Sequence, residues 1–161
     1  MTIRIIKKTS FKDKRGLLWT TWKRGEFNKI NFNHDKFSFS KKKVLRSLNF
    51  DIKSWKMITS VYGRFLLVLV NMKKKSKNYL KHKKLIIDYK KPTLILIPPY
   101  YANGHLCLSD ECIFHYKWSY KGKYVDASNQ ESFMWNDPKI NVKWPVKKPI
   151  LSNRDKKAKT I

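Results

Sequence analysis

The chain has 161 residues, a formal charge of +26, 42% hydrophobic residues and 14% aromatic residues. That length and apolar content suit one domain with its own core, read here as residues 1–161, and exclude a disordered basic arm or a disulfide-stapled mini-protein. The longest apolar runs, around Phe65–Val70 and Leu94–Pro99, fall far short of the ~18–20 residues of a membrane helix.

In chain order, the apolar segments are short and β-like. Leu17–Trp22 is apolar and Thr-containing, Ile30–Ser40 partly alternates, and Val44–Phe50 follows a lysine turn. Two strands, Met57–Tyr62 and Arg64–Val70, flank Gly63. Leu85–Tyr89 and Thr93–Ile97 are split by a Lys-Pro break, and Gly104–Leu108 and Cys112–Trp118 flank a Ser-Asp-Glu turn. Short runs spaced by Gly, Pro, Asn and Lys turns predict an all-β sandwich or barrel. No window sustains a 3.6-residue period over a helix length. The last ~25 residues are aromatic and Pro-punctuated, an irregular extension over the barrel that ends in a basic tail at about 156–161.

In Cys112–Trp118 the two-residue period puts Cys112, Phe114, Tyr116 and Trp118 on one face and Ile113, His115 and Lys117 on the other. The first face is apolar and should point inward, which places the Tyr116 phenol inside a cavity. A core tyrosine with a satisfied hydroxyl is the plainer reading of the same pattern.

The basic residues are 31 lysines and only six arginines, scattered along the chain. Base and phosphate recognition favours arginine for its planar fork of donors. Lysine-rich solvated turns therefore account for the charge better than nucleic-acid binding, which stays as an alternative. Cys107 and Cys112 read as reduced core residues of a cytoplasmic protein. His34, His82, His105 and His115 form no H-x-H or H-E-x-x-H pattern, so no metal is expected, and no cofactor. Gly-rich phosphate loops and G-x-S-x-G are absent from the sequence.

A further set of short strings lies in order from about Lys14 to Asp155. They are Arg15-Gly16, His34-Asp35-Lys36-x-Ser38-x-Ser40, Val44-Leu45-Arg46-x-Leu48, Lys56, Val61-Tyr62-Gly63, Ile97-Pro98-Pro99, Gly104 and Tyr116-Lys117. Trp135-Asn136-Asp137-Pro138, Trp144-Pro145 and Pro149-Ile150-Leu151-Ser152-x-x-Asp155 complete the set. Together they resemble the dTDP-4-dehydrorhamnose 3,5-epimerase family of cupin-type sugar-nucleotide epimerases. Asn103-Gly104-His105 and Tyr120-Lys121-Gly122-Lys123-Tyr124-Val125-Asp126-Ala127 look closer to a subset acting on GDP-4-keto-heptoses in capsule synthesis.

The resemblance implies a dimeric jelly-roll barrel with a dTDP- or GDP-linked 4-keto sugar in its mouth, serving synthesis of surface polysaccharide. It implies proton removal alpha to the C4 ketone and return on the other face. Tyr116 matches the family's acid and Asp155 the carboxylate that orients its catalytic histidine. Arg46 and Lys56 match positions near the sugar and the developing oxyanion, and Arg15 matches a diphosphate contact. His34, Asp35 and Lys36 fall in a segment that lines the substrate site, and Gln130 falls where a Glu lies near the nucleotide. Two departures stand out. The family's base histidine is here Asn49, in Leu45-Arg46-Ser47-Leu48-Asn49, and a carboxamide has no usable basicity. The second family histidine is here Asn103, with His105 two residues on as a displaced candidate base and His34 as a second candidate. The active-epimerase reading therefore stands beside a binding-only homologue that has lost its base.

Overall fold

A computed structural model describes residues 2–27, 29–120 and 130–161. Within them the strands are β1 Arg4–Lys7, β2 Ser10–Asp13, β3 Gly16–Trp19, β4 His34–Lys41, β5 Leu45–Phe50, β6 Trp55–Tyr62 and β7 Arg64–Asn71. They continue with β8 His82–Asp88, β9 Thr93–Ile97, β10 Tyr101–Cys107, β11 Glu111–Ser119 and β12 Glu131–Phe133, followed by a helical turn α1, Asn153–Lys156. One antiparallel sheet runs β1-β9-β6-β11-β4 and a second runs β12-β5-β10-β7-β8, packed as a jelly-roll-like sandwich, while β2 and β3 form a separate hairpin. No helix among the described residues is long and apolar enough to cross a membrane.

The continuous apolar run of β7 is explained by burial on both faces. Phe65, Leu67 and Leu69 point between the sheets, against Ile58, Ile95 and Phe114. Leu66, Val68 and Val70 point the other way, under Phe133, Ile140 and Val142 of the C-terminal segment. Each such side chain contributes roughly 1.5–3 kcal/mol when fully removed from water. On the outer face of the first sheet, Met57, Leu94 and Leu96 are covered by Phe27 and by Trp19, Trp22 and Phe32.

The nine expected strands are all present, with ends shifted by up to four residues. β8 begins three residues early, so Lys83 and Lys84 lie on an edge strand, where lysine discourages pairing with another chain. The expectation passed over β1, β2 and β12, which are only three or four residues long, with little alternation to read. Alternation in β11 runs as the two-residue period requires. Cys112 and Phe114 are in the inter-sheet core with Tyr116 packed beside them, and Trp118 is buried. Cys107 and Cys112 are both free and buried.

The C-terminal extension is irregular but firmly held. Buried Asp137 accepts the Lys139 and Ile140 N–H groups on Oδ1, at 2.8 and 3.2 Å, and the Ile161 N–H on Oδ2 at 2.8 Å. The Trp144 indole donates to the Trp135 carbonyl at 2.7 Å. In the basic tail, Lys159 exchanges backbone hydrogen bonds with Ser132 and Met134. Asp137→Ala would strip acceptors from three backbone donors at once. A loss of about 2–4 kcal/mol in unfolding free energy is expected, read as a lower urea midpoint. A midpoint equal to that of the native protein would contradict this account of the extension.

Candidate functional site

A cavity of about 260 Å³ opens between the two sheets. The first sheet contributes Ser38 of β4, Lys56 and Ile58 of β6, and Phe114 and Tyr116 of β11. The second contributes Arg46 and Asn49 of β5 and Asn103, Gly104 and His105 of β10. Gln130 and the turn carrying Ser152, Arg154 and Asp155 close one side.

The β5 wall depends on a β-bulge. Asn103 pairs with Asn49, yet His105 pairs with Arg46, so three steps on β5 match two on β10. The extra residue lets Leu45 and Leu48 both face the outer core while Arg46 and Asn49 both face the cavity. The bulge frees backbone groups that ordinary pairing would use, and the cavity residues take them up. Asp155 Oδ1 accepts the Ser47 N–H at 3.3 Å, and Asn49 Nδ2 donates to the Ser47 carbonyl at 3.0 Å. Ser132 Oγ donates to Asn49 Oδ1 at 2.8 Å, and the Ser47 hydroxyl donates to the Phe133 carbonyl. The second Asp155 oxygen accepts from the Ser152 hydroxyl at 2.9 Å. Gly104 lies opposite the bulge, where an added Cβ would stand 2.9 Å from the Arg46 carbonyl. That close approach of two strands is the reason for glycine there.

Two buried nitrogen groups differ in character. Lys56 is nearly inaccessible, and its Nζ donates to Asn103 Oδ1 at 2.7 Å. Burial drives its pKa down to about 8 against the opposing pull of the Asp51 carboxylate. His105 lies flat on Phe114, with ring centroids 4.1 Å apart and planes 4° apart, and its buried Nε2 has no hydrogen-bond partner among the described residues. Burial, helped by the Arg46 charge, lowers its pKa to about 3, so it stays a neutral imidazole.

Of the residues singled out in the sequence, Arg46, Asn49, Lys56, Asn103, His105, Tyr116, Gln130 and Asp155 line this one cavity. Arg15, His34, Asp35 and Lys36 do not line it. Arg15 sits in the exposed β2–β3 hairpin, its guanidinium 2.6 Å from Asp13. His34 packs beside the Trp118 and Tyr120 rings. The Lys36 ammonium stands 5.5 Å over the Trp118 ring. Asp35 falls on the opposite face of β4 from Ser38, where it accepts from His115 Nε2 at 2.6 Å and from Lys117. Partial burial pushes its carboxyl up, but those two donors outweigh burial and hold it below its usual range. Sequence reasoning passed over Ile58 and Arg154, and read Ser38 and Ser152 only as parts of matching strings. Arg154 had one usable signal, since arginine is so scarce in this chain. Residues 121–127 of the string that points to heptose substrates lie outside the described residues. Among the described residues, no three His, Cys, Asp or Glu gather as a metal site.

Such a cavity offers a phenol, a buried amine and a guanidinium around a space for one small polar molecule. The sequence profile described as dTDP-4-dehydrorhamnose 3,5-epimerase matches residues 2–161. The enzyme of that name from Shigella flexneri is 29% identical over 153 residues, spanning 90% of this chain and 83% of that protein. The one from Methanothermobacter thermautotrophicus is also 29% identical, over 98% of this chain and 88% of its own length. A solved structure of the Legionella pneumophila epimerase, in complex with dTDP-4-keto-L-rhamnose, superposes with a TM-score of 0.88. Its identity is 25%, and it covers 98% of this chain and 87% of that one. The Sulfolobus tokodaii epimerase gives a TM-score of 0.85 at 27% identity, over 98% and 89% of the two chains.

Proposed function

The chain belongs to the dTDP-4-dehydrorhamnose 3,5-epimerase family, and from that premise we propose that its cavity holds the sugar of a nucleotide-linked 4-keto sugar and inverts C3, C5 or both. The protein is thus an isomerase of nucleotide-sugar biosynthesis. The observation that carries the reading is convergence: Tyr116 and Lys56 from one sheet meet Arg46 and Asn49 from the other on one cavity. At about 260 Å³ the cavity is smaller than the ~300–1,000 Å³ of pockets that enclose whole drug-sized ligands. A sugar ring fits inside, with the nucleotide left at the mouth near Gln130 and Arg154.

Removing the proton alpha to a ketone leaves an enolate, and three groups are needed. A base takes the proton, a positive charge steadies the oxygen, and an acid returns a proton to the opposite face. Tyr116 is the acid and Arg46 the cation. Asp155 acts by holding the bulge that presents Arg46 and Asn49. The domain spans residues 1–161 and works in the cytoplasm, where its two buried thiols suit a reducing compartment. It works as a homodimer. The hairpin leaves Phe11 and Leu18 about 70% exposed and β4 leaves Phe37 and Phe39 exposed, apolar surface that a second copy would cover. Arg15, outside its own chain's cavity, then reaches a diphosphate only from the partner copy. Sedimentation at the 19.3 kDa monomer mass would contradict the dimer.

The direct test of activity is NMR in D₂O with dTDP- and GDP-linked 4-keto-6-deoxy sugars and a GDP-linked 4-keto-heptose. Deuterium is expected at C3, at C5 or at both. Binding with no exchange for any of them would leave only the binding-only reading.

A further inference from the structure

The resemblance puts Asn49 where the family has its base histidine, and the Asn49 carboxamide is tied to the bulge and to Ser132 and lacks basicity in any case. The other nitrogens and carboxylates at the cavity are poorly suited to the task. His105 is stacked flat on Phe114 and only weakly basic. Asp155 accepts from the Ser47 N–H and the Ser152 hydroxyl. His115 faces Asp35 on the other side of the sheet.

Lys56 is different in reach. It starts on β6, the same sheet as Tyr116, but its side chain crosses the sandwich and its Nζ ends 2.7 Å from Asn103 of β10. Asn103 is the register partner of Asn49. The amine therefore stands between Asn103, beside Asn49, and the Trp118 ring of β11, whose centroid is 6.0 Å away. Resting on the epimerase reading, we propose that Lys56 is the general base of this chain.

The step balances without a further reactant. The neutral amine's lone pair takes the proton from the carbon alpha to the C4 ketone. The C–H electrons form the carbon–carbon double bond of the enolate, with its negative charge on O4 beside Arg46. Tyr116 then gives its O–H proton to the opposite face, and solvent resets the ammonium and the phenolate. The Asn103 carboxamide oxygen accepts from the amine and aims it.

The charged and titratable groups around the amine are Lys36 of β4, Arg46 of β5, Asp51 of the following loop, His105 of β10, Tyr116 of β11, and Arg154 and Asp155 of the C-terminal turn. Burial outweighs the Asp51 charge and lowers the amine's pKa to about 8, so its proton is held far less tightly than that of a solvated lysine. The sign separates two roles. A base must be neutral, so exchange rises with pH to a plateau above about 8. A lysine that only steadies the enolate must be charged, so exchange would fall over the same range.

The test is deuterium exchange into the same 4-keto sugars from pH 6 to 9.5, on the native protein and on Lys56→Arg and Lys56→Ala. A rising limb near pH 8 is expected in the native protein. Lys56→Arg keeps the charge but cannot deprotonate, and a loss of ~10²–10⁴-fold is expected. Methylamine added to Lys56→Ala should recover part of the exchange. A falling limb, or Lys56→Arg within tenfold of the native protein, would overturn the proposal and leave the epimerase reading standing. The limb is read without any variant, so a misfolded substitution does not blunt the test. A native protein with no exchange at any pH would overturn both.

Discussion

Tyr116→Phe should slow inversion of the sugar by ~10²–10⁴-fold, the usual contribution of a positioned acid or base, while deuterium continues to wash in with retention. On the proposal above, the two readouts separate because Lys56 and Tyr116 serve opposite faces of the enolate. Lys56 can still remove a proton and return a deuteron to the face it came from. Without the phenol no acid faces the other side of the enolate. The substitution removes one oxygen from a half-buried ring packed between Phe114 and the cavity, so the fold should change little. Product NMR gives stereochemistry and deuterium content from the same spectrum. Inversion at an unchanged rate would remove Tyr116 from the chemistry. Loss of exchange together with inversion would instead make the phenol the base.

Gly63→Ala should cost more stability than any surface substitution, more than about 4 kcal/mol. Gly63 is the single residue between β6 and β7, with φ +68°, a region that L side chains adopt only under strain. An added Cβ would lie 2.0 Å from the Glu111 carbonyl oxygen and 2.8 Å from the Cys112 Cα. Both are backbone atoms of β11, so neither can swing aside. Domains of this kind have only about 5–15 kcal/mol in hand, so much of the stability would be lost. Gly16→Ala is the control. It also has positive φ, at +136°, but nothing lies within 4 Å of the added carbon. Urea midpoints for the two variants separate backbone strain from collision. Similar midpoints would mean that the turn yields.

Several features were legible from residue order alone because they follow from local chemistry. The alternation of Cys112–Trp118 decides which side of a strand each residue takes, and Tyr116 faces the cavity accordingly. The apolar stretch Arg64–Val70 read as a strand, and the structure then covers both of its faces. The strings Trp135–Pro138 and Trp144–Pro145 identify the family, yet their physical work is structural, with Asp137 and the Trp144 indole fastening an irregular segment.

Other features were decided only when the two sheets came together. The Leu45-Arg46-Ser47-Leu48-Asn49 string breaks strict alternation, but its bulge is defined by pairing with β10 and by Asp155, 108 residues beyond Ser47. His105 and Asn103 read alike as polar residues on one face, and tertiary packing made one a ring wedged against Phe114 and the other an acceptor for an amine. Asp35 and His34 are adjacent in sequence, and the pleat sends them to opposite faces. The hydrogen-bond partner of Lys56 comes from the opposing sheet, so the burial that depresses its pKa and its contact with Asn103 depend on the two sheets coming together. Sequence order states which side chains alternate, and the separation between the layers determines which of them meet.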